Sequence, residues 1–182
     1  MPPAPTRATA RRAGFTLLEL LIVAGLIALL TGLALGVGRR ALETGKIARA
    51  RSELAVLTTA LECYRGTYGD YPRTADAARL LQSLLGRRDP ANGARQGRAG
   101  IELAKFTTGG DRDPLADDSV MLVDPWGRPY VYAYKSPASG WMNAGFVLYS
   151  TGSDGADSPL LAGGSVDFSA PENADNIYAT QH

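Results

Sequence analysis

From Phe15 to Gly38 the chain reads FTLLELLIVAGLIALLTGLALGVG, an apolar run broken by one charge, Glu19. Apolar character on every side, rather than along one stripe, suits a helix surrounded by hydrocarbon. At about 1.5 Å per residue the run matches the ~30 Å hydrocarbon core of a bilayer. It is also too long for the apolar core of an ordinary cleaved signal peptide. Downstream the pattern changes. Ile47, Ala50, Leu54, Leu57, Leu61, Tyr64 and Tyr68 recur at steps of three and four residues, with Arg49, Arg51, Glu53 and Glu62 off that stripe. This predicts an amphipathic continuation that packs one face. No proline intervenes before Pro72, so one helix is expected from Phe15 to about Arg65, ended by Gly66, Gly69 and Pro72. Gly32, Gly36 and Gly38 soften its middle, each by about 1 kcal/mol relative to alanine.

Beyond the long helix, Thr74 is placed to N-cap a short helix carrying Leu80, Leu81, Leu84 and Leu85, closed by Gly86. Residues 86–119 are polar and rich in Gly, Arg and Asp, and read as a long loop with a short strand around Ile101–Phe106. Pro125 and Gly127 set a tight turn, with Trp126 as an apolar plug. Tyr130, Tyr132 and Tyr134 then alternate with Val131 and Ala133 on a strand, and 136–144 connect to a second strand, Phe146–Tyr149. An aromatic face of this kind could bind sugar or nucleic acid, but packing of the sheet against the helix is the reading adopted. The fold class expected is α+β, a long N-terminal helix on a small antiparallel sheet.

Composition narrows the function. A chain of 182 residues has room for one compact domain plus an attached element. A net charge of +1 excludes a polybasic nucleic-acid binder. Cys63 is the one cysteine and cannot form an internal disulfide; His182 is the one histidine and the last residue. No paired catalytic constellation is present, so no enzyme is expected. Arg7, Arg11 and Arg12 precede the apolar run, while Arg39, Arg40, Lys46, Arg49 and Arg51 follow it, so the positive-inside rule leaves orientation open. An unpaired carboxylate in lipid costs about 2.5–3.5 kcal/mol, which makes Glu19 a functional candidate.

The context of Glu19, Arg11-Arg12-Ala13-Gly14-Phe15-Thr16-Leu17-Leu18-Glu19, resembles the prepilin peptidase and methylation site of type IV pilins and type II secretion pseudopilins. The resemblance implies cleavage after Gly14, N-methylation of Phe15, and pairing of Glu19 with the Phe15 amine of a neighbouring subunit. Three further stretches resemble the heads of major pseudopilins: Tyr68-Gly69-Asp70-Tyr71-Pro72, Asp124–Tyr130, and Phe146 to Gly155 with its G-S-D-G turn. In that family the last turn opens a calcium loop. Carried over, the ligands would be Asp154, Asp175 and Asn176 plus the carbonyl oxygens of Thr151 and Ala156, a hard-oxygen set suited to Ca²⁺. The chain departs from the family where Gly36 replaces a common proline, where Asn176 replaces an acid, and where the stretch from Asp157 to Ala174 is lengthened; Asp157 could compensate as a ligand.

The organisation so implied is a leader (1–14), a membrane and assembly helix (15–38), and a helix continuation with a periplasmic head (39–182). The implied function is that of a pseudopilus subunit. Its partners would be other copies of itself, the prepilin peptidase and methylase, other pseudopilins and the inner-membrane secretion platform, with no nucleic acid. A type IV pilin, a minor pseudopilin and a membrane-tethered carbohydrate-binding module are the alternatives.

Overall fold

The computed structural model describes residues 15–110, 112–136, 145–161 and 163–179, with the side chains of 33–39 left aside. Helix α1 runs Leu17–Tyr68, through Gly66 and three residues past the expected end at Arg65, and stops where Gly69 takes φ +84°. The chain divides into two compact units, Met1–Leu42 and Glu43–His182.

In the first unit the described apolar side chains of α1 are exposed on all sides: Leu17 is 83% exposed, Leu21 63% and Leu30 63%. Among the described residues no helix is long and apolar enough to cross a membrane. The described side chains of the run stop at Gly32, while the sequence continues apolar to Gly38.

The second unit carries the core. Ala50, Leu54, Leu57, Leu61 and Tyr64 of α1 are buried, which matches the predicted stripe. Glu53 does not match: it is buried on that same face, where it accepts from Arg49 Nε at 2.7 Å and Tyr130 Oη at 2.5 Å. Helix α2 (Ala77–Leu84) presents Leu80, Leu81 and Leu84 to the core and closes at Gly86, φ +74°. Its cap is Asp76, which accepts from the amides of Ala78 and Arg79. The expected cap, Thr74, lies two residues upstream and accepts from the Asp76 amide instead, at 3.0 Å.

The strand expected near Ile101–Phe106 is displaced. Leu103–Lys105 form a 3₁₀ turn, and the strand is β1 (Thr107–Thr108), antiparallel to β2 (Leu122–Val123). A second sheet has the order β3-β4-β5, all antiparallel, from Val131–Lys135, Gly145–Ser150 and Ile177–Tyr178. Tyr130 and Tyr132 are buried as the alternation predicts, whereas β5 was expected only as part of a metal loop. Trp126 is half-buried rather than a full plug, because its Nε1 reaches Glu43 Oε1 at 2.9 Å and Lys46 lies over its ring.

Candidate functional site

Gly14, the expected cleavage position, lies outside the described residues. Phe15 and Thr16 are described, immediately ahead of α1, and Phe15 is 79% exposed. The Thr16 hydroxyl accepts from the Glu19 amide at 3.2 Å, so Thr16 caps the helix and Glu19 stands three residues in. T-x-x-E is the spacing of a capping box. A carboxylate in the first turn also sits in the positive end of the helix dipole.

The C-terminal loop is built on three segments. Asp124 is buried; its Oδ1 accepts from the amides of Trp126 (3.0 Å) and Arg128 (2.9 Å), and its Oδ2 from Ser150 Oγ (2.5 Å). That fixes Arg128 against the turn after β4, where its guanidinium donates to the carbonyls of Gly152 (2.5 Å) and Ser153 (3.1 Å). Asp175 closes the turn from the other segment: its Oδ2 accepts from Ser153 N (2.7 Å), Ser153 Oγ (2.7 Å) and Asp154 N (3.1 Å). Burial acts to raise the Asp175 pKa, but those donors outweigh it and hold the carboxyl below its ordinary range.

The predicted cation ligands are thus brought to one loop, with differing duties. Asp154 Oδ1 turns back to the Ala156 amide at 2.7 Å, and the Thr151 carbonyl accepts from Gly155 N at 3.2 Å. Asp157 Oδ2 accepts from the Tyr149 hydroxyl at 2.8 Å; burial, then the nearby Asp157 charge, push that tyrosine's pKa up. Asp175 Oδ1 and Asn176 Oδ1 are buried acceptors with no hydrogen-bond partner. Orphaned oxygens on two adjacent predicted ligands fit a hard cation. Among the described residues no three His, Cys, Asp or Glu side chains gather as a metal cluster, so any cation would lean on amide and carbonyl oxygens.

Two contributors escaped the sequence reading. Arg128 lies in the turn marked by Pro125 and Gly127, and nothing in that local pattern ties it to the C-terminal loop. Asn173, 5% exposed, binds Ser158 Oγ (2.7 Å) and the Asp167 carbonyl (2.7 Å) through Nδ2, while its Oδ1 accepts from Ser158 N and Asn176 Nδ2. It is the hub that lets the lengthened loop close. An asparagine in a loop carries no periodic signal, so nothing in the pattern marked it.

Residues 9–35 match the prokaryotic N-terminal methylation motif. That match covers Arg11 and Arg12, the Gly14-Phe15 junction, Thr16, Glu19 and most of the apolar run. The chain is also 27% identical over 148 residues to the type II secretion system core protein G of Pseudomonas aeruginosa, covering 81% of this chain and 87% of the relative. The chain is pseudopilin-like. No solved structure matches it. The pseudopilin-like head is α+β as expected, with small antiparallel sheets following the N-terminal helix.

Proposed function

We propose that this chain is a structural, non-enzymatic subunit of a pseudopilus-type filament. The observation that carries it is the methylation motif leading into a helix whose apolar side chains are exposed on all sides in a single copy. Such a surface needs lipid before assembly and neighbouring helices after it. On this reading residues 1–14 are a leader, 15–38 the membrane and assembly helix, and 39–182 a helix continuation with a periplasmic head. Prepilin peptidase and methylase, sister pseudopilins and the inner-membrane secretion platform are its partners.

The physics assigns Glu19 a task. Cleavage after Gly14 would leave the cationic amine of Phe15 two residues ahead of α1, at the positive end of the helix dipole. Lipid and dipole both disfavour that charge, and a carboxylate from an adjacent copy relieves both. Mass spectrometry of the mature protein should therefore start at N-methyl-Phe15, and Gly14→Val should retain the leader. Glu19→Leu should be inserted and stable yet fail to form filaments. A mature terminus elsewhere, or normal filament yield from Glu19→Leu, would refute the reading.

Calcium is the cation proposed for the C-terminal loop, with Asp175, Asn176 and Asp154 supplying side-chain oxygens, Asp157 in reserve, and Thr151 and Ala156 supplying carbonyls. The orphaned Oδ1 atoms of Asp175 and Asn176 support it. When bound, the ion would offset two of the five acidic charges of residues 136–182 and tie the loop's two segments together, leaving the segment acidic. A ligand at one hundred times its Kd adds about 2.7 kcal/mol to stability. Melting of the detergent-solubilised chain should rise by several degrees in Ca²⁺, less in Mg²⁺. Identical curves in Ca²⁺ and chelator would remove calcium from the account.

A further inference from the structure

The segment joining α2 to β1 encloses a cleft of about 540 Å³ lined by Arg87, Arg88, Arg95, Gln96, Gly97 and Asp118. It is a built feature. Backbone bonds of 2.8 Å from Arg95 N to Arg87 O, Gly97 N to Gly86 O and Gly100 N to Leu84 O strap the segment down. A Cβ at Gly97 would run into the Tyr68 hydroxyl, and one at Gly86 would lie 2.6 Å from the Arg98 carbonyl. Only glycine permits so close an approach.

The guanidinium groups are held in place before any ligand arrives. Arg87 and Arg88 share Asp118 at 3.3 and 3.2 Å; Arg87 also donates to the Leu115 carbonyl, and Arg88 to that of Asn92. Arg95 is held differently: its guanidinium lies over the Tyr68 ring at 4.7 Å. Three guanidinium groups face one carboxylate, so the cleft is net positive and offers planar donor pairs matched to carboxylates.

The complementary charge is in the same sequence. Residues 136–182 contain Asp154, Asp157, Asp167, Glu172 and Asp175 and no lysine or arginine. Glu172 is exposed, on the loop described above. We propose that the arginine cleft of one copy receives the acidic C-terminal loop of a second copy. Two different patches joined head to tail leave one of each patch free at the ends, so the contact propagates, and it gives an open filament wherever the rotation between copies does not close a ring. The proposal rests on the reading that copies polymerise and names the head surfaces through which they do so.

The test uses two differently tagged full-length chains, both Cys63→Ser, oxidised together in membranes. One carries Gln96→Cys beside the cleft; the other carries Ala174→Cys, exposed on the loop, with every acid retained. The mixed cross-link should exceed either like-with-like cross-link by about tenfold; Arg95→Glu should cut it by about tenfold, and Arg95→Lys, which keeps the charge without the planar fork, should cut it by less. Absence of the mixed product, or indifference to Arg95→Glu, overturns the docking even where filaments form. A charge-dependent mixed product without filaments upholds the docking and refutes the filament reading.

Discussion

Glu53 is 6% exposed. A carboxylate that dry requires partners, and it has Arg49 on its own helix and the Tyr130 hydroxyl at the start of the sheet. Burial and then the Glu53 contact push the Tyr130 pKa far up, so the phenol stays protonated and keeps donating. Tyr130→Phe should leave Glu53 short of a donor and destabilise the protein by about 1–3 kcal/mol, read as a lower urea midpoint. The position was legible by spacing and misread by chemistry. Glu53 stands three residues after Ala50 and four before Leu57, so helical geometry turns it toward the core. Its charge argued for the outside, because the tyrosine that satisfies it lies 77 residues away.

At the level of elements, what was readable depended on whether a local rule determines the structure. The long helix and its glycine stop were visible, as were the tyrosine strand and the turn at Gly127, φ +86°. Three features were not. The α2 cap fell to Asp76 over Thr74, both good capping residues two positions apart, and only backbone geometry decides between them. Strands β1 and β5 span two residues each, too short to show alternation. In the candidate cation loop, Asp154 and Asp175 were foreseen from opposite ends, while Arg128 and Asn173 emerged from tertiary contacts. The turn after β2 depends on a side chain the Pro-Gly signal does not reveal. Asp124→Ala would strand the Trp126 and Arg128 amides and the Ser150 hydroxyl, and release Arg128 from the loop. A loss of about 3 kcal/mol is expected. Hydrogen exchange should quicken at Gly152–Gly155 as well as at the turn itself.

For the whole molecule, acid is the informative perturbation. Burial acts to raise the Asp70 pKa, but Tyr134, the Tyr71 amide and Arg73 outweigh it and hold it below 3.8. Asp175 is lowered in the same sense. A carboxyl depressed on folding contributes its full stability above its unfolded pKa, and that contribution is lost as pH falls through the folded value. Stability should therefore stay level above about pH 5 and decline below about pH 4. Asp70 joins the exit of α1 to β3, and Asp175 joins β5 to the turn after β4, so both ties loosen together. Denaturant unfolding at pH 7 and pH 3 should show the decline, and Asp70→Asn should make it shallower.

The strand order β3-β4-β5 also carries a consequence in time. Chains are made N-terminus first, at about 5–20 residues per second. Strand β4 can pair with β3 as soon as Ser150 is available, but β5 begins at Ile177. For a period on the order of seconds the nascent head presents Leu148, Tyr149 and Ser150 along an unpaired edge. Such an edge is a template for a strand from another copy. Crowded synthesis, or a stop codon placed before Ile177, should thus favour clumping of incomplete heads, and the two-residue strand acts as the latch that closes this window.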